Sequence, residues 1–387
     1  MRRLAALVLF GSLAGCTSAS NKSIVGLDDV SFLFPLSADP GRLLAPKDGT
    51  AYGPLLSSAD LSMVPQLVQG EDARSNDDVL GEARVVAARL DICSTDAAGC
   101  EPEVRLVFQP VLTIGGTTST RDAAIHAIYR LGRADLLSLS ARVLALRDHH
   151  DATEGLSVHP TMLAEGVDGP YATALKALLL EYVGTTNLSR MAFFEQLGDS
   201  TGGVTPDGPP AVGGEAQQWR MEALDVHAGQ YTPEAIGSTT TEFFTRTLSS
   251  SADEDTRTGE LIPEPVAMVS VSSLYDAQAA SADGARLDDG AAKVLRLENP
   301  RLEKVDDNSC VSCHSAFAMG AWSRSHAAMP ETGDAFTSRY SLVLPSDDTV
   351  TTHSLRAFGY FGGKPAISQR AVNHTALVAE TLDKALR

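Results

Sequence analysis

Cys310-Val311-Ser312-Cys313-His314 is the stretch of this chain whose residue types and spacing point most directly to chemistry. Two thiols three residues apart stand on one turn, and each can add to one of two adjacent vinyl groups of a single porphyrin. The adjoining His314 then lies beneath the iron and supplies the proximal axial ligand through a ring nitrogen. CxxCH is the attachment signature for c-type haem, so one covalent haem c is expected on Cys310, Cys313 and His314. Two rival chemistries use the same residue types. A thioredoxin-like redox pair needs a βαβ context that the Ser- and Asp-rich neighbourhood does not show. A zinc site needs a second ligand pair, and no other closely spaced cysteine pair of this kind occurs.

The elements that must position this motif fall into two parts. From Leu27 to Ser273 the patterning is mixed. Strands are expected at 29–36, closed by Pro35, and at 104–112, which alternates before Gly115-Gly116. Further strands are expected at 188–197 and 217–226, on either side of a Gly/Pro-rich loop. Helices are expected at 121–131, 135–146 and 171–182 from apolar residues at helical spacing. On that reading His126, among Ala and Ile, is a satisfied core histidine of a helix. Residues 27–273 form an α+β domain large enough to bury its own core. Leu248–Gly259 and Ala277–Gly290 are small, polar and acidic like linkers, and 274–290 is taken as the boundary.

Residues 291–387 resemble a class I c-type cytochrome domain. The likeness rests on CxxCH and on a final segment, Ser368–Arg387, with Ala371, Thr375, Val378, Leu382 and Leu386 at helical spacing. It implies a mainly α-helical, cytochrome c-like C-terminal domain whose last helix crosses the helix before the haem motif. It also implies a sixth iron ligand, ordinarily a Met a few tens of residues downstream. The last Met here, Met329, follows His314 closely, whereas His353 lies at a more usual separation. His353 is the candidate distal ligand and Met329 the alternative; His326, His374 or no protein ligand stay open. Arg356 is either a propionate partner or a surface charge.

The N-terminus carries an address. Arg2-Arg3 precede a short apolar run, Leu4–Gly15, of the length of a secretory h-region. It ends in Leu13-Ala14-Gly15-Cys16, which resembles the lipobox of bacterial lipoprotein signal peptides. The resemblance implies a signal peptide over 1–15, diacylglycerol on Cys16 and a polar tether over 16–26. Thr17, where an inner-membrane lipoprotein of enteric bacteria has Asp, favours the outer membrane, facing the periplasm or the cell surface. In such an oxidising compartment Cys93 and Cys100, bracketing a six-residue loop, are expected to form a disulfide. The order of parts also resembles a group of myxobacterial-type lipoproteins. The shared pieces are the lipobox, Val30–Leu36, Cys310–His314, Phe358–Gly362 and Ile367–Asn373. That resemblance implies a shared architecture and supplies no activity.

Composition narrows the partners. Thirty-one Lys and Arg against 49 Asp and Glu, a formal net charge of −18, argue against nucleic acid and for redox partners with a basic face. Two further clusters have bland readings. Gly198–Gly203 is a loop, and Asp148–Asp151 with His159 is a solvated helix end or a metal site. The expectation is a membrane-anchored periplasmic monohaem cytochrome that transfers electrons. A haem-dependent oxidoreductase, with chemistry at an open haem or in the middle domain, and a binding or scaffold lipoprotein with structural haem remain as alternatives.

Overall fold

The structure, a computed structural model, describes residues 24–64, 81–93, 100–147, 155–197, 216–235, 239–248, 257–262, 269–304, 308–326, 333–342 and 355–387. The chain begins with β1 (Ser31–Leu33), β2 (Gly49–Thr50), β3 (Gly53–Pro54) and α1 (Ser58–Ser62). Next come β4 (Ala83–Asp91), β5 (Glu103–Ile114), β6 (Thr117–Thr120) and β7 (Ala123–Arg130). Helices α2 (Arg133–Leu146), α3 (Pro160–Glu165) and α4 (Pro170–Leu180) follow. The sheet resumes with β8 (Leu188–Leu197), β9 (Ala216–His227), β10 (Gln230–Pro233), β11 (Thr241–Leu248) and β12 (Arg257–Ile262). The last part has α5 (Ala277–Ala282), α6 (Gly284–Glu298), α7 (Cys310–His326), β13 (Phe358–Phe361), β14 (Lys364–Ile367) and α8 (Gln369–Ala385).

Ten strands make one sheet in the order β1-β4-β5-β7-β8-β9-β11-β12, with β6 on β5 and β10 on β9. The pairings along this path are antiparallel. Because side chains alternate along a strand, the register sorts residues by face. Arg89, Arg105, Val107, His126, Ile128 and Ala192 share one face; Leu90, Val104, Leu106, Ala127, Tyr129 and Met191 share the other. The second face is covered by α3 and α4, where Phe32 stacks on His159 and His159 on Tyr171. The first face is covered by the last hundred residues. There Ser31 Oγ meets Thr375 Oγ1 of α8 at 2.7 Å, and Gln109 meets β13.

This arrangement corrects the expected division into an α+β domain and a separate, mainly α-helical, cytochrome c-like domain. Phe358, Tyr360, Ile367, Val372, Ala376 and Val378 lie in the same buried cluster as residues of β1, β4, β5, β7 and α2–α4. Helices α6 and α7 share a second cluster with Phe194, Trp219, Met221 and Phe244 of β8, β9 and β11. The apolar stripe of α8 is the one its spacing predicts, but a stripe does not name its partner. Here α8 packs on β4 and also on helices α2, α6 and α7. The polar side of α8 meets the end of α6, where Asn373 Nδ2 donates to Glu298 O at 2.8 Å and Arg370 donates to Leu297 O. The stretch 277–290 is helical where a linker was expected. Its alanines favour helix, and Asp276 and Asp283 accept the first-turn N–H groups of α5 and α6.

Residues 123–130 are a strand where helical spacing suggested a helix. Both faces of β7 are covered, so apolar residues appear without clean alternation, and a short apolar run is then ambiguous. The change matters, because His126 now points from the sheet. Elsewhere β5, α2, α4, β8 and β9 fall where the patterning puts them. Among the described residues no helix is long and apolar enough to cross a membrane.

One buried side chain joins the sheet to the C-terminal hairpin. Gln109 Nε2 donates to Tyr360 O at 2.9 Å, and its Oε1 accepts from Tyr360 N at 2.7 Å. The approach is so close that a Cβ on Gly359 would lie 2.5 Å from Gln109 Oε1, which explains glycine there. Replacing Gln109 by Leu keeps the volume and strands the Tyr360 N–H, while Thr120 Oγ1 still donates to the carbonyl. Gln109→Leu is expected to lower the unfolding free energy by about 1–3 kcal/mol in urea titrations. A change below about 0.5 kcal/mol would show that the hairpin is not held this way.

Candidate functional site

Helix α7 opens on Cys310 itself. Ser309 sets its first turn, its Oγ accepting from Ser312 N at 3.0 Å and its carbonyl from Cys313 N. A second anchor comes from far away in sequence. Glu242, fully buried on β11, accepts the Val311 N–H at 2.9 Å through Oε2. An acidic group at a helix N-terminus satisfies orphan donors and the local positive potential. Burial raises the Glu242 carboxyl above its ordinary range, and the N–H donors around it oppose that rise.

The turn so fixed aims its chemistry at one place. Cys310 and Cys313 are half-buried, unbonded thiols. Burial raises both above the ordinary thiol range, with Glu242 adding to the effect, so neither is poised as a thiolate nucleophile. His314 stacks on Phe194 with ring centroids 5.4 Å apart and an interplanar angle of 12°. Its Nδ1 lies 2.6 Å from Leu355 O, a contact in which the ring N–H donates and Nε2 keeps its lone pair. Burial lowers the ring to about 4, outweighing the Leu355 hydrogen bond, so the imidazole is neutral at neutral pH. A neutral imidazole is the form that ligates a metal.

Cys310, Cys313 and His314 border one open cleft. The floor is the sheet face described above, with Val107, His126, Ile128 and Ala192; Phe358 and Ala371 stand on the C-terminal side. Arg89, Arg105, Arg190 and Arg370 also line it, against one carboxylate, Glu234. Arg190 is taken by Asp225 and Glu234, and Arg105 has Glu103 at 3.1 Å. Arg370 spends its two terminal nitrogens on the Leu297 and Glu303 carbonyls. The Nε atoms of Arg89, Arg105 and Arg370 are buried without an acceptor among the described residues. Burial lowers the Arg89 guanidinium to about 10, with Arg105 adding repulsion.

The other sequence-predicted residues fall as follows around this cleft. His374 borders it, but its Nε2 lies 3.0 Å from Asp91 Oδ2 and its Nδ1 2.7 Å from Arg89 Nη1. Both ring nitrogens are committed, so His374 is not free to take iron. Arg356 is neither a surface charge nor a cleft residue. It is buried, pairs with Asp122 at 2.5 Å and lies over the Phe194 ring at 4.4 Å. Cys93 and Cys100 have Cα atoms 5.7 Å apart, the separation a disulfide spans. His159 accepts from Met162 N at the start of α3 and takes no part in the cleft. Cys16, Met329, His353, Asp148–Asp151 and Gly198–Gly203 lie outside the described residues. Among the described residues, no group of three or more His, Cys, Asp or Glu is arranged to hold a metal ion.

Sequence reasoning missed Arg89, Arg105, Arg370, Glu242 and the cleft-facing position of His126. Arg105 and Val107 did carry a trace, since they are alternate residues of a strand that the patterning predicts. No family model, no curated protein and no solved structure matches the chain.

The Asp91–His374–Arg89 cluster gives a pH signature. Burial pushes the His374 ring from 6.5 down to about 4, although Asp91 beside it works in the opposite direction. Between those values the folded ring is neutral while the unfolded one takes up a proton. Its contribution to stability is therefore present above pH 6.5 and is lost as pH falls toward about 4. An NMR titration of the His374 ring is expected to show a midpoint well below 6.5; a midpoint at or above that value contradicts the burial.

Proposed function

We propose that the chain binds one haem c through Cys310, Cys313 and His314, in the cleft between the sheet and α7–α8, and carries electrons in the cell envelope. One observation supports this above the rest. Two protonated thiols and a neutral imidazole with a free Nε2 open onto the same cleft as three half-buried arginines whose buried Nε atoms lack acceptors among the described residues. A haem brings two vinyl groups, an iron and two propionates, and the cleft offers a counterpart for each. The thiols would hold the vinyl carbons as thioethers and His314 Nε2 the iron. Arg89, Arg105 and Arg370 would take the carboxylates. The apolar side chains of Val107, Ile128 and Phe358 would keep water from the ring. When bound, haem c supplies a one-electron ferric/ferrous couple.

The polypeptide contributes placement and charge. Leu355 and Phe194 fix the ring plane of His314, and Glu242 and Ser309 hold the turn that spaces the thiols. Partners are periplasmic redox proteins, with basic faces favoured by the net charge of −18. An acyl chain on Cys16 would hold the protein at the outer membrane and raise its local concentration there.

The full-length protein, exported in cells equipped for c-type cytochrome maturation, is expected to retain haem through acid–acetone extraction. Its pyridine haemochrome is expected to report two thioether bonds. Cys310→Ala or Cys313→Ala should leave the single-thioether form, and the double variant no covalent haem. Extraction of all haem from the wild type would falsify the reading. Cys16→Ser should abolish palmitate labelling and release the protein from membranes; continued labelling would contradict the anchor.

A further inference from the structure

His126 is the one ring on the sheet side of the cleft with nothing to do. It is half-buried on β7, flanked in register by Val107 and Ala192, and its side chain borders the cleft together with His314. Neither ring nitrogen makes a hydrogen bond to any described residue. Its ring nitrogens are thus available to a group that enters the cleft.

Its place relative to His314 follows from register. His314 stacks on Phe194, and Phe194 pairs with Ala124 while His126 pairs with Ala192. Antiparallel pairing puts Ala124, Phe194, His126 and Ala192 on one face, so His126 is the diagonal neighbour of the residue beneath His314. The two imidazoles thus approach the same cleft from different elements, one from a rigid central strand and one from α7. The other sulfur and nitrogen candidates on the cleft wall are already placed. Met221 is fully buried opposite Phe194 within the apolar cluster of α5–α7, and both nitrogens of His374 are engaged.

We propose that His126 is the distal iron ligand, so that the chain presents a bis-histidine site formed by His314 and His126. This rests on the haem reading above. Two imidazoles on the iron would leave no open coordination position, which would favour electron transfer over ligand chemistry. They also set a lower reduction potential than a histidine–methionine pair would.

The test uses the full-length, haem-loaded protein and near-infrared magnetic circular dichroism with electron paramagnetic resonance of the ferric state. The wild type is expected to be low-spin with the charge-transfer band of two imidazoles. His126→Gly should become high-spin and return to low spin on addition of free imidazole. His126→Met should acquire the thioether band and a higher potential. His353→Ala and Met329→Ala should leave the wild-type spectrum unchanged. A thioether band or a high-spin iron in the wild type overturns the assignment without any variant having to fold. So does a His126→Gly protein that keeps covalent haem and an unaltered low-spin spectrum. Those results leave covalent attachment intact, whereas a wild type without covalent haem removes the haem reading itself.

Discussion

A guanidinium taken out of water needs an anion, and the cleft gathers three whose Nε atoms meet none. Arg89 and Arg105 face each other across β4 and β5, and Arg370 reaches the same cleft from α8. Their other nitrogens touch His374, Glu103 and main-chain carbonyls, but the Nε of each is buried and unmatched among the described residues. A buried donor left without an acceptor costs about 1–3 kcal/mol. Three such donors on one cleft wall are what the carboxylates of the proposed haem would satisfy. Two carboxylates on the edge of a flat apolar ring have that chemistry, which is why the motif and the arginines are read together.

The same constraint explains why the cleft is assembled from both halves of the chain. A CxxCH turn needs only a helix start, and Ser309 supplies that locally. The wall opposite it, with Arg89, Arg105 and His126, needs several strands side by side, and the antiparallel sheet provides them at fixed spacing. Glu242 from β11 and Leu355 after α7 then tie the turn and the His314 ring to that wall. Gln109 and Thr375 hold the hairpin and α8 against the same face. A site spread in this way is fixed by hydrogen bonds from three separate parts of the chain.

How much of this is legible in the sequence depends on how local the signal is. Cys310, Cys313 and His314 stand within one turn, so their spacing carries the chemistry without knowledge of the fold. The C-terminal helix is legible too, since Ser368 and the spacing of Ala371, Thr375, Val378 and Leu382 are local facts. The resemblance to helical cytochromes names one partner that α8 does meet, the helix before the motif, but not the sheet that it also packs against. Residues 123–130 misled for a related reason. With both faces of β7 covered, Ala124, Ile125, Ile128 and Tyr129 lose strand alternation and mimic a helical stripe. That error hid His126 as a core residue. Arg89, Arg105 and Arg370 are separated by long stretches of chain, and only strand register and helix docking bring them to one cleft.

The central claim is that the CxxCH turn and the sheet face form one site. Diffraction from crystals of the haem-loaded, full-length protein, with anomalous data at the iron edge, tests it most directly. A single iron peak is expected between α7 and β7, with the propionates against Arg89, Arg105 and Arg370. An iron peak on the outer side of α7, away from the sheet, or propionates pointing into solvent with those arginines still unpaired, would contradict it.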